Sequence, residues 1–199
     1  TLILEDRRTS TSVSSYTFNV QPVVDGALVY DVGSTVSAAI DETGEVDRYA
    51  FTLGATSRLV FDSLINAGSF NWTLAGPAGT LVSGRSFQSS DSVEGFSLLN
   101  VPAGDYTLAV DGSLYAIGAY SFRLLDLNAA TDLTPGSPVT ASFDPAKETD
   151  LYRFAALAGQ RFYFDAQPGA GNANWRLVDP YSNVLFSAAT TTDQETLTL

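Results

Sequence analysis

The 199-residue chain has no cysteine, no methionine and no histidine. Without cysteine there can be no disulfide, no thiolate metal site and no thiol nucleophile. Without histidine the commonest general base and the usual zinc ligand are gone. Cations are scarce too: 10 Lys and Arg face 22 Asp and Glu, a formal net charge of −12. Such a surface repels phosphate backbones, which excludes nucleic acid as a partner. It tolerates divalent cations and keeps a repetitive protein soluble. No apolar run approaches the roughly 18 residues of a membrane helix, so no membrane span is expected. Thr1 opens no basic leader and no cleavage site, so a secreted parent would have lost its signal upstream of this segment.

What the chain does contain is a repeat. Asp47-Arg48-Tyr49-Ala50-Phe51 returns 103 residues later as Asp150-Leu151-Tyr152-Arg153-Phe154. Arg58-Leu59-Val60-Phe61-Asp62 returns at the same offset as Arg161-Phe162-Tyr163-Phe164-Asp165, and Asn71-Trp72-Thr73-Leu74 as Asn174-Trp175-Arg176-Leu177. The start of the chain matches its middle: Thr1-Leu2-Ile3-Leu4 with Thr107-Leu108-Ala109-Val110, and Tyr16 to Val20 with Tyr120 to Leu124. Collinear blocks at fixed offset mean tandem domains. With 45% hydrophobic and 12% aromatic residues, each unit can bury its own core.

The apolar segments alternate with period two and end in turn residues. Ser15 to Val20 and Tyr106 to Val110 are half-buried strands by this pattern, with Pro102-Ala103-Gly104-Asp105 as a turn. The fold class is therefore all-β: tandem antiparallel jelly-roll-like β-sandwich domains. Residues 25–127 make one complete repeat. Residues 128–199 make a second that lacks its closing strands, and residues 1–24 are the closing strands of a preceding or complementary repeat. Aligning Leu197 and Leu199 with Phe96 and Leu98 leaves only Leu99 to Tyr106 without a counterpart.

A sandwich short of two strands exposes sheet edges and half a core. Leu2, Leu4, Tyr16, Phe18, Leu197 and Leu199 are the expected assembly-strand residues. Completion has three routes: residues 1–24 of the same chain, those of a neighbouring copy, or a longer polypeptide of which this is a window.

The succession Asp47-Arg48-Tyr49-Ala50-Phe51, Asn71-Trp72-Thr73-Leu74, Pro102 to Leu108 and Gly118-Ala119-Tyr120-Ser121-Phe122 is similar to the bacterial pre-peptidase C-terminal domain. That family in turn resembles the collagen-binding modules of clostridial collagenases. The resemblance implies a jelly-roll-like sandwich, secretion or attachment at the cell surface, and a non-catalytic accessory role. It also implies calcium in some members, held by acids of the preceding linker and by an aspartate just ahead of the Tyr-x-Phe strand. Asp47 and Asp150 match that aspartate. Asp126 and Asn128 are the linker residues before the second unit, and Asp25 the one before the first.

Read from the residues themselves, the acidic loops 41–47 and 144–150 are the candidate calcium sites, although neither has EF-hand spacing. A solvated turn is the plainer reading of both. No cofactor is required by anything in the chain. Trp72 and Trp175 share one repeat position, each on the same strand face as a leucine two residues on, which marks them as core rather than a sugar platform. Tyr30, Tyr115 and Tyr181 fall outside the repeated strands and are candidates for exposed contacts. No acid pair has an apolar setting, and the lone Lys147 has no serine motif beside it, so an enzyme is not expected.

The function these features point to is a non-catalytic extracellular structural repeat: a surface stalk, adhesin or filament subunit acting by domain stacking and strand complementation. Its partners would be neighbouring copies or adjacent repeats, head to tail. The alternative is an accessory binding module for collagen-like, glycan or cell-wall polymers.

Overall fold

The computed structural model describes residues 1–5, 12–13, 15–90, 98–167, 171 and 173–199. Residues 27–126 carry nine strands. In chain order they are β1 (Ala27–Val29), β2 (Val36–Ile40), β3 (Val46–Leu53), β4 (Ser57–Ser63) and β5 (Phe70–Gly76). Then come β6 (Gly79–Ser86), β7 (Leu99–Val101), β8 (Gly104–Gly112) and β9 (Gly118–Asp126). They form a five-stranded sheet, β1-β3-β8-β5-β6, and a four-stranded sheet, β2-β9-β4-β7.

The period-two pattern explains the layering. In β3, Asp47, Tyr49, Phe51 and Leu53 are buried while Arg48, Ala50 and Thr52 are exposed. Aromatic rings from both sheets meet in the middle. Phe61 of β4 stacks on Trp72 of β5 at 4.3 Å and 7°, and on Phe122 of β9 at 5.1 Å. Phe122 also meets Tyr49 of β3 edge-on at 5.4 Å. Offset and edge-to-face pairs of this kind add to the area they bury. The chain is an all-β sandwich, though not wholly antiparallel, because β1 runs parallel to β3.

The described residues of 131–199 carry six short strands. They are β10 (Thr131–Asp132), β11 (Tyr152–Arg153), β12 (Arg161–Phe164), β13 (Asn174–Val178), β14 (Val184–Ala189) and β15 (Gln194–Thr198). They pair only two by two: β10 with β11, β12 with β15, β13 with β14. These pairings repeat those of the first unit. Leu28 faces Tyr49 in a parallel pair, and Thr131 faces Tyr152 in another. Asn71 faces Ser86, and Asn174 faces Ala189.

The last strand changes one expected equivalence. Arg58 faces Asn100 and Leu59 faces Leu99, while Arg161 faces Thr198 and Phe162 faces Leu197. Leu197 therefore corresponds to Leu99 and Leu199 to Val101, not to Phe96 and Leu98. Phe96 itself lies outside the described residues. Hydrogen bonding to the partner strand sets this register, and the hydrophobic pattern matched by sequence was three positions off.

The two strands that close a unit in sequence have particular places in its sheets. In the first unit β8 lies between β3 and β5, and β9 between β2 and β4. Both are central strands. The second unit has the outer pairs and, among the described residues, nothing at the two central positions.

The segment expected to supply them stands apart. Leu2, Leu4, Tyr16 and Phe18 lie in no strand, and the described residues of 1–24 join no sheet. They were expected as strands, but a strand needs a hydrogen-bonding neighbour, and none of the described residues pairs with them. Tyr30, expected as an exposed contact, is buried instead. Its hydroxyl accepts from Leu124 N at 2.8 Å and donates to Ser34 O at 3.0 Å. Tyr115 and Tyr181 are exposed.

The two units meet on the outer face of β4. Leu59 and Phe61 point into the sandwich, so Asp62 should be solvated, yet it is fully buried. Arg123 of β9 covers it, donating from Nε and Nη2 to Oδ2 at 2.8 and 2.6 Å. The same guanidinium reaches Glu148 Oε2 at 3.3 Å and Thr149 O at 3.2 Å in the second unit. Arg58 Nη1 donates to Asp179 O at 3.1 Å nearby.

Burial raises the Asp62 pKa, and Arg123 opposes that shift. A raised carboxyl pKa favours the folded protein at acid pH, and this contribution is lost as pH climbs through the folded-state value. Arg123→Met strands the buried carboxylate and raises its pKa further. The variant should lose about 3 kcal/mol at pH 7 and clearly less near pH 4, as read by urea unfolding at the two pH values.

Candidate functional site

Asp47 sits at the start of β3 with its side chain turned inward. Tyr120 Oη donates to Asp47 Oδ2 at 2.5 Å. That uses the Tyr120 proton, so Tyr49 Oη, also 2.5 Å away, must donate to Tyr120. Burial, then the bonds to Asp47 and Tyr49, hold the Tyr120 phenol far above its ordinary pKa. The result is a buried carboxylate–phenol–phenol chain tying β3 of one sheet to β9 of the other. On the other side the Gly26 backbone is so close that a Cβ there would lie 2.1 Å from Asp47 Oδ1.

The residues matched to a calcium site are engaged in other ways. Asp25 accepts from Val46 N at 3.2 Å and pairs with Arg48 at 2.5 Å, which lowers its pKa. Asp126 Oδ1 caps Asn128 N at 2.9 Å, and Asn128 O accepts from Arg153 at 2.9 Å. Asp150 is exposed. Its pKa is raised by partial burial and then by Glu148, with Arg123 opposing.

In the first unit Asp25 is held by Arg48 and Asp47 by Tyr120, and before the second unit Asn128 is tied to Arg153. Among the described residues no group of three or more acids is placed to hold a metal. Calcium needs six to eight oxygens, and Asp47 already spends its oxygens on Tyr120 and a tight backbone contact. The melting temperature is expected to be the same in millimolar calcium and in chelator, by calorimetry.

The groove at one end of the sandwich is lined mainly by Val29, Phe51, Leu53, Pro77 and Tyr106. Two of its three acids are engaged: Asp105 Oδ1 accepts from Thr52 Oγ1 at 2.6 Å, and Asp126 is the cap just described, while Asp31 is the third. The groove presents no paired acid and base.

The unfinished chemistry lies in residues 131–199. Trp72 is fully buried and donates from Nε1 to Ser90 Oγ at 2.7 Å. Trp175, at the same repeat position, is only half-buried, and its buried Nε1 has no partner among the described residues. Phe164, the counterpart of Phe61, meets Trp175 edge-on at 6.2 Å and 88° instead of stacking. Tyr152 and Val139 are exposed where Tyr49 and Val36 are buried or half-buried.

The complementary surface is on residues 1–20. Leu2, Leu4, Tyr16, Phe18 and Val20 are 62%, 49%, 71%, 53% and 76% exposed. Their counterparts Leu108, Val110, Tyr120, Phe122 and Leu124 are all buried. Sequence reasoning located these residues but missed two features: the Asp47–Tyr120–Tyr49 chain and the Arg123 junction. The first was signalled by the recurrence of Asp and Tyr two residues apart at Asp47/Tyr49 and Asp150/Tyr152. The second had no sequence signal, because Asp62 looks like any outward strand residue.

Trp72→Ala should destabilise the main unfolding transition by about 3–5 kcal/mol, the range for a fully packed aromatic. Trp175→Ala should cost less than half as much in the dilute chain, as judged by denaturant melts of both variants.

No protein-family model matches this chain, and no curated protein is similar to it. Among solved structures, it is similar to the pre-peptidase C-terminal domain of a Bacillus anthracis collagenase. That match has 15% identity over 53% of this chain and 99% of that one, with a TM-score of 0.40. It is also similar to a mutant of the Escherichia coli periplasmic inhibitor of g-type lysozyme, with 14% identity, 52% and 99% coverage and a TM-score of 0.41. The Salmonella Typhimurium inhibitor gives 18% identity, 51% and 98% coverage and a TM-score of 0.40. At these values the assignment to the all-β class rests on the sheets themselves. Among the described residues no helix is long and apolar enough to cross a membrane.

Proposed function

We propose that this chain is a non-catalytic structural repeat of an extracellular or cell-surface protein, building length by stacking β-sandwich units end to end and completing them by strand pairing. What supports the reading above all is that the second unit repeats the outer pairings of the first while its two central positions stay open. An enzyme would be organised around a cleft with poised acids or a nucleophile. Here the buried carboxylates Asp62 and Asp47, with Arg123 over the first and Tyr120 on the second, are spent on joining strands and units.

The stacking is specific rather than a loose tether. The linker between units is a single 3-10 turn, Leu127–Ala129, and the outer face of β4 is buried by the next unit through Asp62. Strand completion has a large driving force available. Covering five apolar side chains such as Leu2 and Phe18 contributes roughly 1.5–3 kcal/mol each, before ordering costs.

The competing reading, a module for collagen-like, glycan or cell-wall polymers, has an exposed aromatic in its favour at Tyr181. Immobilised collagen, chitin, cellulose and peptidoglycan should each fail to retain the chain at micromolar concentration. Retention that is lost on Tyr181→Ala would overturn the structural reading in favour of the binding module.

A further inference from the structure

We propose that the contact between the two units is a pH-sensitive joint, closed in mildly acid solution and opened as the pH rises, with Asp62 as the group on which closure turns. Such a joint would set how stiffly the units are held, whether the chain serves as a structural repeat or as a binding module.

The contact is polar at both ends. On β4 the inward Leu59 and Phe61 alternate with the outward Arg58, Val60 and Asp62, and Val60 and Asp62 are 4% and 0% exposed. At one end Arg58 Nη1 donates to Asp179 O at 3.1 Å, and Ser182 Oγ donates to Asn100 Oδ1 at 3.0 Å. At the other end Arg123 reaches Asp62, Glu148 and the Thr149 carbonyl. Each tie is modest on its own, because water competes for the same groups. Polar interfaces between domains of one chain permit relative motion.

The charges at the Arg123 end do not balance. Arg123 and Asp62 face each other across β9 and β4, so their pairing belongs to the first unit alone. The second unit adds Glu148 at 3.3 Å and brings Asp150 within electrostatic reach, so three carboxylates share one guanidinium. Water is excluded as well. Asp62 Oδ2 takes both Arg123 bonds, while Oδ1 is buried with no hydrogen-bond partner among the described residues. An oxygen so placed is costly while the carboxyl is charged, and far less so once it carries a proton.

The direction of the response follows. Burial pushes the Asp62 carboxyl above its ordinary range, against Arg123 and the nearby Thr149. Partial burial, and then Glu148, pushes Asp150 the same way, with Arg123 opposing. Both groups therefore hold a proton more tightly in the closed joint than in water. Closure takes up protons: it is favoured in acid and lost as the pH climbs through the closed-state values. The remaining charged groups at the contact leave this sign in place. Arg58 and Arg123 are its cations, and Lys147 is exposed on the loop beside Glu148. The Asn183 side chain, in the same turn, holds Asp179 below the ordinary carboxylate range, so Asp179 stays ionised.

The absence of cysteine lets two spin labels be placed selectively. Ser83 in β6 and Thr191 in the turn between β14 and β15 are exposed and lie outside the contact just described. In the S83C/T191C chain, dipolar electron-spin measurements should give one narrow distance at about pH 5. A second, broader population should grow toward about pH 8, the open-to-closed ratio rising roughly tenfold. Asp62→Asn has nearly the same shape and no charge, so the labelled variant should keep the narrow distance at both pH values. Asp150→Asn changes an exposed side chain and should reduce the response without abolishing it.

The same distances at both pH values, or opening on acidification, would overturn the proposal. A full response in Asp62→Asn would overturn the role of Asp62. If circular dichroism shows that Asp62→Asn does not fold, the parent chain and Asp150→Asn decide by the same distances. Polymer retention, which separates the structural repeat from the binding module, has no bearing on these outcomes.

Discussion

The constraint on which the molecule depends is that each sheet is joined through its centre. β8 bonds to β3 on one side and β5 on the other, and β9 bonds to β2 and β4. Remove such a strand and a sheet divides into separate pairs, which residues 131–199 display. Isolated two-stranded pairs are marginal in water because each still leaves one edge of N–H and C=O groups to solvent. The core suffers with the sheets. Leu108, Val110, Tyr120, Phe122 and Leu124 come from β8 and β9, and all of them point inward. The same two strands therefore carry both the hydrogen-bonded continuity of the sandwich and much of its hydrophobic filling.

The polar groups that are buried follow the same logic. Asp47 is hidden from water but bonded to Tyr120, a β9 residue, and through it to Tyr49. Asp62 is hidden by Arg123, also a β9 residue. A buried carboxylate without a partner is costly, so both acids make the position of β9 all or none. β9 is thus fixed on its inner face by aromatic stacking and one hydroxyl, and on its outer face by one guanidinium. That outer guanidinium also holds Glu148 and Thr149 of the next unit. Filling a unit and docking its successor are coupled through this single strand.

The all-β class, the positions of most strands and the inward-facing set were legible because period-two alternation is a local signal that needs no knowledge of partners. The offset of 103 carried the register of the parallel edge pair and the start of the β13–β14 pair for the same reason. What could not be read was strand order. Nothing in Tyr106 to Val110 or Tyr120 to Leu124 distinguishes a central strand from an edge strand, since both alternate when each face has a different neighbour. The misplacement of Leu197 and Leu199 has a related cause. Two apolar residues with one between them match Phe96 and Leu98 as well as Leu99 and Val101, and only the pairing of Phe162 with Leu197 separates the registers. For the candidate sites, Asp47 was found by sequence and its role was not, because the choice between metal and hydroxyl depends on Tyr120, 73 residues away.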